Sequence, residues 1–331
     1  MTGGLTVFLK IAVMFLVMLA GWWLRRRAAF TRETTGLLGR LVVDVTFPAL
    51  VFTQMLQTVS AAMLRASLWL PLAAVGVMGT AAGVGWTAGR LVRAPATRPT
   101  FVFLVATPNW IYLPLPIMLA LFGADGVRSV LLFNVGAQIF LWTAGVALLR
   151  GRFDRREARQ LLLNPGLLAT AAGIAIALLY PGAGGLETAQ PGAARAGELA
   201  CAAVVQALAL LGSLTIPLSL LVTGAQLGEL RPADPGPRGL LAGVVTLRLL
   251  IAPAVTVLLL RLLAAAGLTL PEVSRHTICI IAAMPVALNC SLFAERFGGD
   301  TRLSAPGIFL STLGSLTTVP ALYGLIRWLG W

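Results

Sequence analysis

Apolar runs of about 20 residues recur along the whole chain, separated by short stretches rich in Arg, Gly or Pro. A helix rises 1.5 Å per residue, so a run of that length crosses about 30 Å of hydrocarbon. Ten such runs occur, at 5–24, 37–58, 67–89, 100–122, 127–149, 161–180, 198–228, 239–263, 272–295 and 304–326. They predict an all-α polytopic membrane protein with ten transmembrane helices. Composition agrees: at 58% hydrophobic and 11% charged, with a mean hydropathy of +0.89, the chain cannot coat a soluble domain with polar side chains. The longest connections, 181–197 and RGRFDRREARQ from Arg150, are too short for a separate domain, so function is expected inside the bundle.

The formal charge of +13 does not imply nucleic acid, because the basic residues sit between spans rather than on one exposed face. Alternate loops hold 17 of the 25: Arg25, Arg26, Arg27, Arg32 and Arg40; Arg90, Arg93 and Arg98; Arg150, Arg152, Arg155, Arg156 and Arg159; Arg231 and Arg238; Arg296 and Arg302. The opposite loops and tail hold Arg65, Arg128, Arg195, Arg261, Arg275 and Arg327. Positive charge is retained on the cytoplasmic side, which predicts an inner (plasma) membrane protein with both termini outside. Residues 1–24 resemble a signal peptide, but Lys10 interrupts the apolar stretch and no small-x-small cleavage site follows. The first helix is expected to be retained. Cys201, Cys279 and Cys290 have unrelated spacing and read as packing residues, and His276 as a structural residue near an outer helix end. No metal, no cofactor and no set of nucleophile, base and orienter is expected, so an enzyme is disfavoured.

The two halves share fragments in matching order. TFPALVFTQ from Thr46 parallels TIPLSLLVTGAQ from Thr215, and ATPN from Ala106 parallels AMPVALN from Ala283. FGAD (Phe122–Asp125) and FGGD (Phe297–Asp300) follow the latter pair, and Pro71 and Pro253 stand in spans three and eight. A repeat of five spans, an odd number, inverts its second copy, placing a pseudo-twofold axis in the membrane plane. The expected halves are 1–150 and 151–331.

Span four carries Pro108, Pro114 and Pro116 within one crossing, and span nine carries Pro285 followed by Asn289 and Cys290. Proline removes a backbone donor and clashes with the preceding turn, so neither helix can run through. Backbone freed at mid-membrane must be satisfied by protein, water or ligand. Where two breaks meet, half-helix amino termini present N–H groups and partial positive charge, which suits a carboxylate. Asn109 and Asn289 either grip that carboxylate or only cap the broken helices.

On TFPALVF at Thr46, PNWIYLPLPIMLALFGADG from Pro108 and MPVALNCSLFAERFGGD from Met284, the chain resembles a bacterial member of the auxin efflux carrier family, relatives of the plant PIN-type carriers. The resemblance covers nearly the whole chain. It implies two inverted five-helix repeats, scaffold and transport subdomains intermixed, and a crossover of helices four and nine that holds a carboxylate. The family's crossover residues fall on Pro108 with Asn109 and on Pro285 with Asn289. The long hydrophilic central loop of the plant carriers is missing and Trp110 follows the Asn; these departures speak against auxin itself, and the resemblance to bacterial relatives implies a dicarboxylate such as malate or malonate.

Tyr112 lies in the first break and Gln138 on span five, and both join the candidate substrate-binding residues. Gln138, Asn134, Gln54 and Gln226 would not face lipid, and each also suits interhelical hydrogen bonding. Arg40 and Asp44, four apart in span two, read as an ion pair, with proton or substrate coupling through Asp44 as the functional alternative. Arg248, deeper in span eight, complements a substrate charge or finds Asp44. Gly76, Gly79, Gly83, Gly85 and Gly89 in span three permit close helix approach, including between two copies of the chain as a homodimer. The expected function is secondary transport of a small organic anion. A sodium-coupled symporter similar to the bile-acid carriers is the alternative, weakened by the absence of Asp and Glu at the crossover; a membrane receptor would need an output element.

Overall fold

Prolines decide where the helices of this bundle bend, widen or stop. The computed structural model describes residues 2–60, 69–151, 163–180, 196–229, 238–328 and 330. Arg65, Arg152, Arg155, Arg156, Arg159, Arg195 and Arg231, which carry part of the charge argument, lie outside these residues, as does the side chain of Lys10. Among the described residues there is no strand, and the chain is a succession of helices.

In order these are α1 (Thr2–Arg26), α2 (Arg32–Leu41), α3 (Phe47–Thr58), α4 (Trp69–Gly89), α5 (Arg98–Ala106), α6 (Pro114–Phe140), α7 (Val146–Arg150) and α8 (Pro165–Leu179). The second half continues with α9 (Ala196–Ser213), α10 (Thr215–Glu229), α11 (Arg238–Thr246), α12 (Ala252–Ala265), α13 (Glu272–Ala282), α14 (Cys290–Phe297) and α15 (Thr301–Trp328). Among the described residues three joints are widened π-type turns, at Val42–Thr46, Leu141–Gly145 and Leu247–Ile251. The first and third lie just before Pro48 and Pro253. Each proline lacks an N–H and crowds the carbonyl four residues back, on Asp44 and Leu249, so the turn opens there.

Six helical stretches among the described residues are long and apolar enough to cross a membrane: Arg32–Gln57, Trp69–Gly89, Pro114–Arg150, Leu199–Gly228, Arg238–Ala265 and Thr301–Trp328. That is fewer than ten apolar runs, and proline explains much of the difference. The runs at 100–122 and 272–295 are each cut into half-helices, of which α5 has 9 residues, α13 has 11 and α14 has 8. The outward-facing surface carries Leu16, Leu19, Leu72, Leu168, Leu210 and Leu258 exposed, as lipid accepts and water does not. Arg26, Arg27 and Arg90 stack over Trp22, Trp23 and Trp86 at 5.3, 5.0 and 3.9 Å, aromatic-basic pairs of the kind found at a membrane interface.

The helices pack as two sets. α1 lies along α10 and α3 along α8, while α4 packs on α5 and α6, and α11 on α15. The α1–α10 contact is set by glycines. A β-carbon on Gly21 would overlap the Leu221 carbonyl, and one on Gly224 the Met18 carbonyl, so the two backbones touch. The glycines of α4 divide: Gly85 and Gly89 press against Val102 of α5, while Gly76, Gly79 and Gly83 have open space beside them.

Each broken segment ends in a glycine turn. FGAD turns α6 sharply at Gly123 (φ 59°, ψ −141°), and FGGD ends α14 at Gly298 (φ 78°, ψ 23°). Side chains rarely adopt positive φ, which is why glycine stands at both. Asp300 of the second turn accepts from Thr97 Oγ1 at 3.0 Å and its N–H donates to Thr100 Oγ1 at 2.8 Å, tying that turn to the start of α5. Phe122 of the first turn packs against His276 near the start of α13, ring centroids 5.1 Å apart. His276, expected near an interface, is fully buried between the rings of Phe122 and Tyr323. Cys279 and Cys290 are buried packing residues, whereas Cys201 is exposed.

Candidate functional site

The two proline breaks meet. Pro108 and Val286 form an isolated antiparallel bridge: Asn109 N–H donates to Pro285 O at 2.7 Å, and Ala287 N–H donates to Thr107 O at 3.1 Å. Backbone that lost its helical partners is thus satisfied by the other break, as burial away from water requires. Val286 N–H turns instead to Ser311 Oγ of α15, at 3.2 Å.

Breaking the helices also strands the carbonyls of their last turns. In a continuous helix the Asn109 N–H would serve Val105 O, and the Val286 N–H would serve Ala282 O. Both carbonyls are taken by one side chain. Arg248, fully buried, donates Nη1–H to Val105 O at 2.7 Å and Nη2–H to Ala282 O. The sequence suggested that Arg248 would meet a substrate charge or Asp44; its donors go to main-chain carbonyls because those are the strongest unsatisfied acceptors within reach.

The two asparagines separate. Asn109 is buried, and its Oδ1 accepts from Tyr112 N–H at 3.2 Å, fixing the turn that leads into α6. Asn289 is half-buried at the N-cap of α14, makes no side-chain cap bond there, and its buried Oδ1 has no hydrogen-bond partner. Trp110, next to Asn109, donates its indole N–H to Asn134 Oδ1 of α6 at 2.9 Å, anchoring the first break. Asn134 therefore acts as interhelical glue.

A cavity of about 300 Å³ opens between the two packed sets. One wall is α2 with the joint that follows it, through Gly36, Gly39, Arg40, Val42, Val43 and Asp44; a second is α10, with Ser219, Val222, Thr223 and Gln226. The third wall is the crossover itself, through Tyr112, Leu288 and Asn289. Tyr112 precedes the amino terminus of α6 and Asn289 stands at the N-cap position of α14, so a residue at each half-helix start reaches the same space. A second cavity of about 460 Å³ shares Gly36, Gln226 and Leu288 with the first and carries Arg25, Arg32 and Glu295.

The expected Arg40–Asp44 ion pair is not formed among the described residues. Both side chains are exposed toward the cavity, and the π-type turn starting at Val42 interrupts the four-residue row that would have aligned them. Pro108 and Pro285 are buried at the bridge and shape the site without lining it. Gln138 on α6 is half-buried and does not line either cavity. Ser219 and Thr223 were not anticipated. With Thr215 and Gln226 they recur every three or four residues along α10, a polar stripe the sequence does show.

A profile of the family described as membrane transport protein matches residues 6–164 and 157–323. No curated protein matches the chain. With a match running through nearly the whole chain and a succession of apolar helices, the chain is a multi-pass membrane protein that belongs to the membrane transport protein family, the family of the auxin efflux carriers.

Proposed function

We propose that this protein is a secondary carrier that moves a small organic anion, a carboxylate or dicarboxylate, through the cavity where the two broken helices meet. The observation that carries the reading is the shared space of Tyr112, Asn289 and Arg40: a side-chain amide whose NH2 can donate, a phenol and a guanidinium, beside the amino terminus of α14. Those groups give a carboxylate neutral donors, a counter-charge and a favourable helix dipole. Arg25 and Arg32 in the adjoining cavity draw anions toward it.

In this reading ten crossings form two inverted repeats, 1–150 and 151–331. The reciprocal packing of α1 on α10 and of α8 on α3 supports it, since inversion exchanges those pairs. So do the glycine turns that follow each break, and the contact each makes with the start of the other broken helix. Both termini lie outside the plasma membrane, and the cavities open to the side bearing Arg25, Arg32 and Arg40. The substrate is carried by movement of the crossover set against α1, α2–α3, α8 and α10.

Uptake of labelled malate and indole-3-acetate into proteoliposomes tests this. Transport of either by the wild-type chain, lost in Asn289→Ala, is expected. Wild-type transport that persists undiminished in Asn289→Ala removes the site assignment, and no transport of either probe removes the substrate class.

A further inference from the structure

Val105 and Ala282 each stand three residues before the proline that breaks their helix, so Arg248 grips equivalent carbonyls in the two halves. Both are at half-helix carboxyl termini, where the peptide dipoles sum to partial negative charge. Two such ends converging in a dry interior repel each other and need a cation between them. Unwound carbonyls and half-helix carboxyl ends are where carriers with broken helices hold a coupling sodium ion. Here those acceptors are already filled, by a charge tethered to the π-type turn before Pro253. That turn is what admits the side chain to the core: Arg248 stays fully buried while its helix continues into α12.

We propose that Arg248 is a built-in counter-cation, taking at the crossover the place of a coupling metal ion, so that the carrier folds and cycles without sodium there. Arginine suits the task because it stays charged when desolvated and its planar fork reaches two acceptors at once. Being covalently fixed, the charge does not travel with the substrate, and the two half-helix ends remain clamped in every stage of transport. The inference rests on the carrier reading only for its transport consequence; the clamping of the crossover stands on geometry.

The test compares melting temperature and malate uptake of the purified full-length chain in sodium, potassium and choline chloride at equal ionic strength, for wild type, Arg248→Lys, Arg248→Gln and Arg248→Ser. Wild type is expected to melt at the same temperature in all three salts, and to transport equally with sodium or choline. Arg248→Lys keeps the charge and recovers most of the stability. Arg248→Gln can donate to a carbonyl but is neutral, and is expected to melt lower and to lose at least about tenfold in uptake. Arg248→Ser is expected to gain a stabilisation by sodium over choline that wild type lacks. The proposal is overturned if sodium stabilises the wild type over choline or stimulates its uptake by about tenfold or more. It is equally overturned if Arg248→Gln behaves as wild type, which would mean that hydrogen bonding suffices without charge. If Arg248→Ser does not fold, wild type, the lysine and the glutamine variants still decide. Should malate not be transported at all, the carrier reading fails while the melting temperatures continue to judge Arg248.

Discussion

The backbone N–H of Asn109 donates to the carbonyl of Pro285 at 2.7 Å, joining two helix breaks from opposite halves of the chain. Each break supplies what the other has lost: Thr107 accepts from Ala287, Pro285 accepts from Asn109, and Arg248 closes the remaining acceptors. The two breaks are therefore joined through their main chains inside an apolar bundle, with Asn289 lining the cavity, while Thr107 Oγ1 and Arg248 Nε stay buried without a hydrogen-bond partner among the described residues.

The two asparagines are expected to fail differently. Asn109→Ala removes the acceptor for Tyr112 N–H and costs about 1 kcal/mol of stability, as a lost cap does. Asn289→Ala leaves the fold intact and weakens binding of malate by roughly ten- to a hundredfold, the range for a hydrogen bond to a charged ligand. Thermal melts with and without malate separate the cases. Equal loss of binding in two equally stable variants would contradict the division.

Arg40 and Asp44 act on an anion with opposite sign. Both line the cavity and neither is tied to the other, so Arg40→Gln should weaken malate binding and Asp44→Asn should strengthen it. The cavity is open, so each effect is modest, about 1 kcal/mol or less, and falls as salt is raised. Titrations at low and high ionic strength check both signs.

Gly224→Val is expected to disrupt the α1–α10 contact. Its side chain would meet the Met18 backbone, which cannot yield as a flexible side chain does, and the cost is at least about 1–3 kcal/mol. Gly76→Ala, inside α4 with nothing within 4 Å, serves as the control and should hold or raise the melting temperature of the purified protein, since alanine favours a helix interior by about 0.5–1 kcal/mol. A tolerated valine at 224 would mean that the two helices are not in backbone contact.

Trp110→Phe keeps an aromatic ring, though a smaller one, and removes the indole donor to Asn134. The buried Asn134 oxygen is orphaned, at about 1–3 kcal/mol. Lower stability is expected, with affinity for malate unchanged, because neither residue lines the cavity. A loss of affinity at unchanged stability would place Trp110 in the site.

Much of this protein was legible in its sequence. Apolar runs of spanning length marked a helical membrane protein, because lipid leaves backbone few other structures. Pro108 and Pro285 marked the breaks, since a missing N–H acts wherever it falls, whereas FGAD and FGGD showed only as matching fragments and their positive-φ turns at Gly123 and Gly298 came from the structure. What the sequence did not contain is who satisfies whom. Arg40 and Asp44 looked paired by helical spacing until a π-type turn displaced the register, and Arg248 looked like a ligand for an anion until two carbonyls claimed it. Asn109 and Asn289 were indistinguishable by type, and Gln138 looked as suitable as either. Residue identity and local spacing fix the backbone's needs. Which distant group meets each need depends on the packing of helices far apart in the chain, and only the tertiary structure decides that.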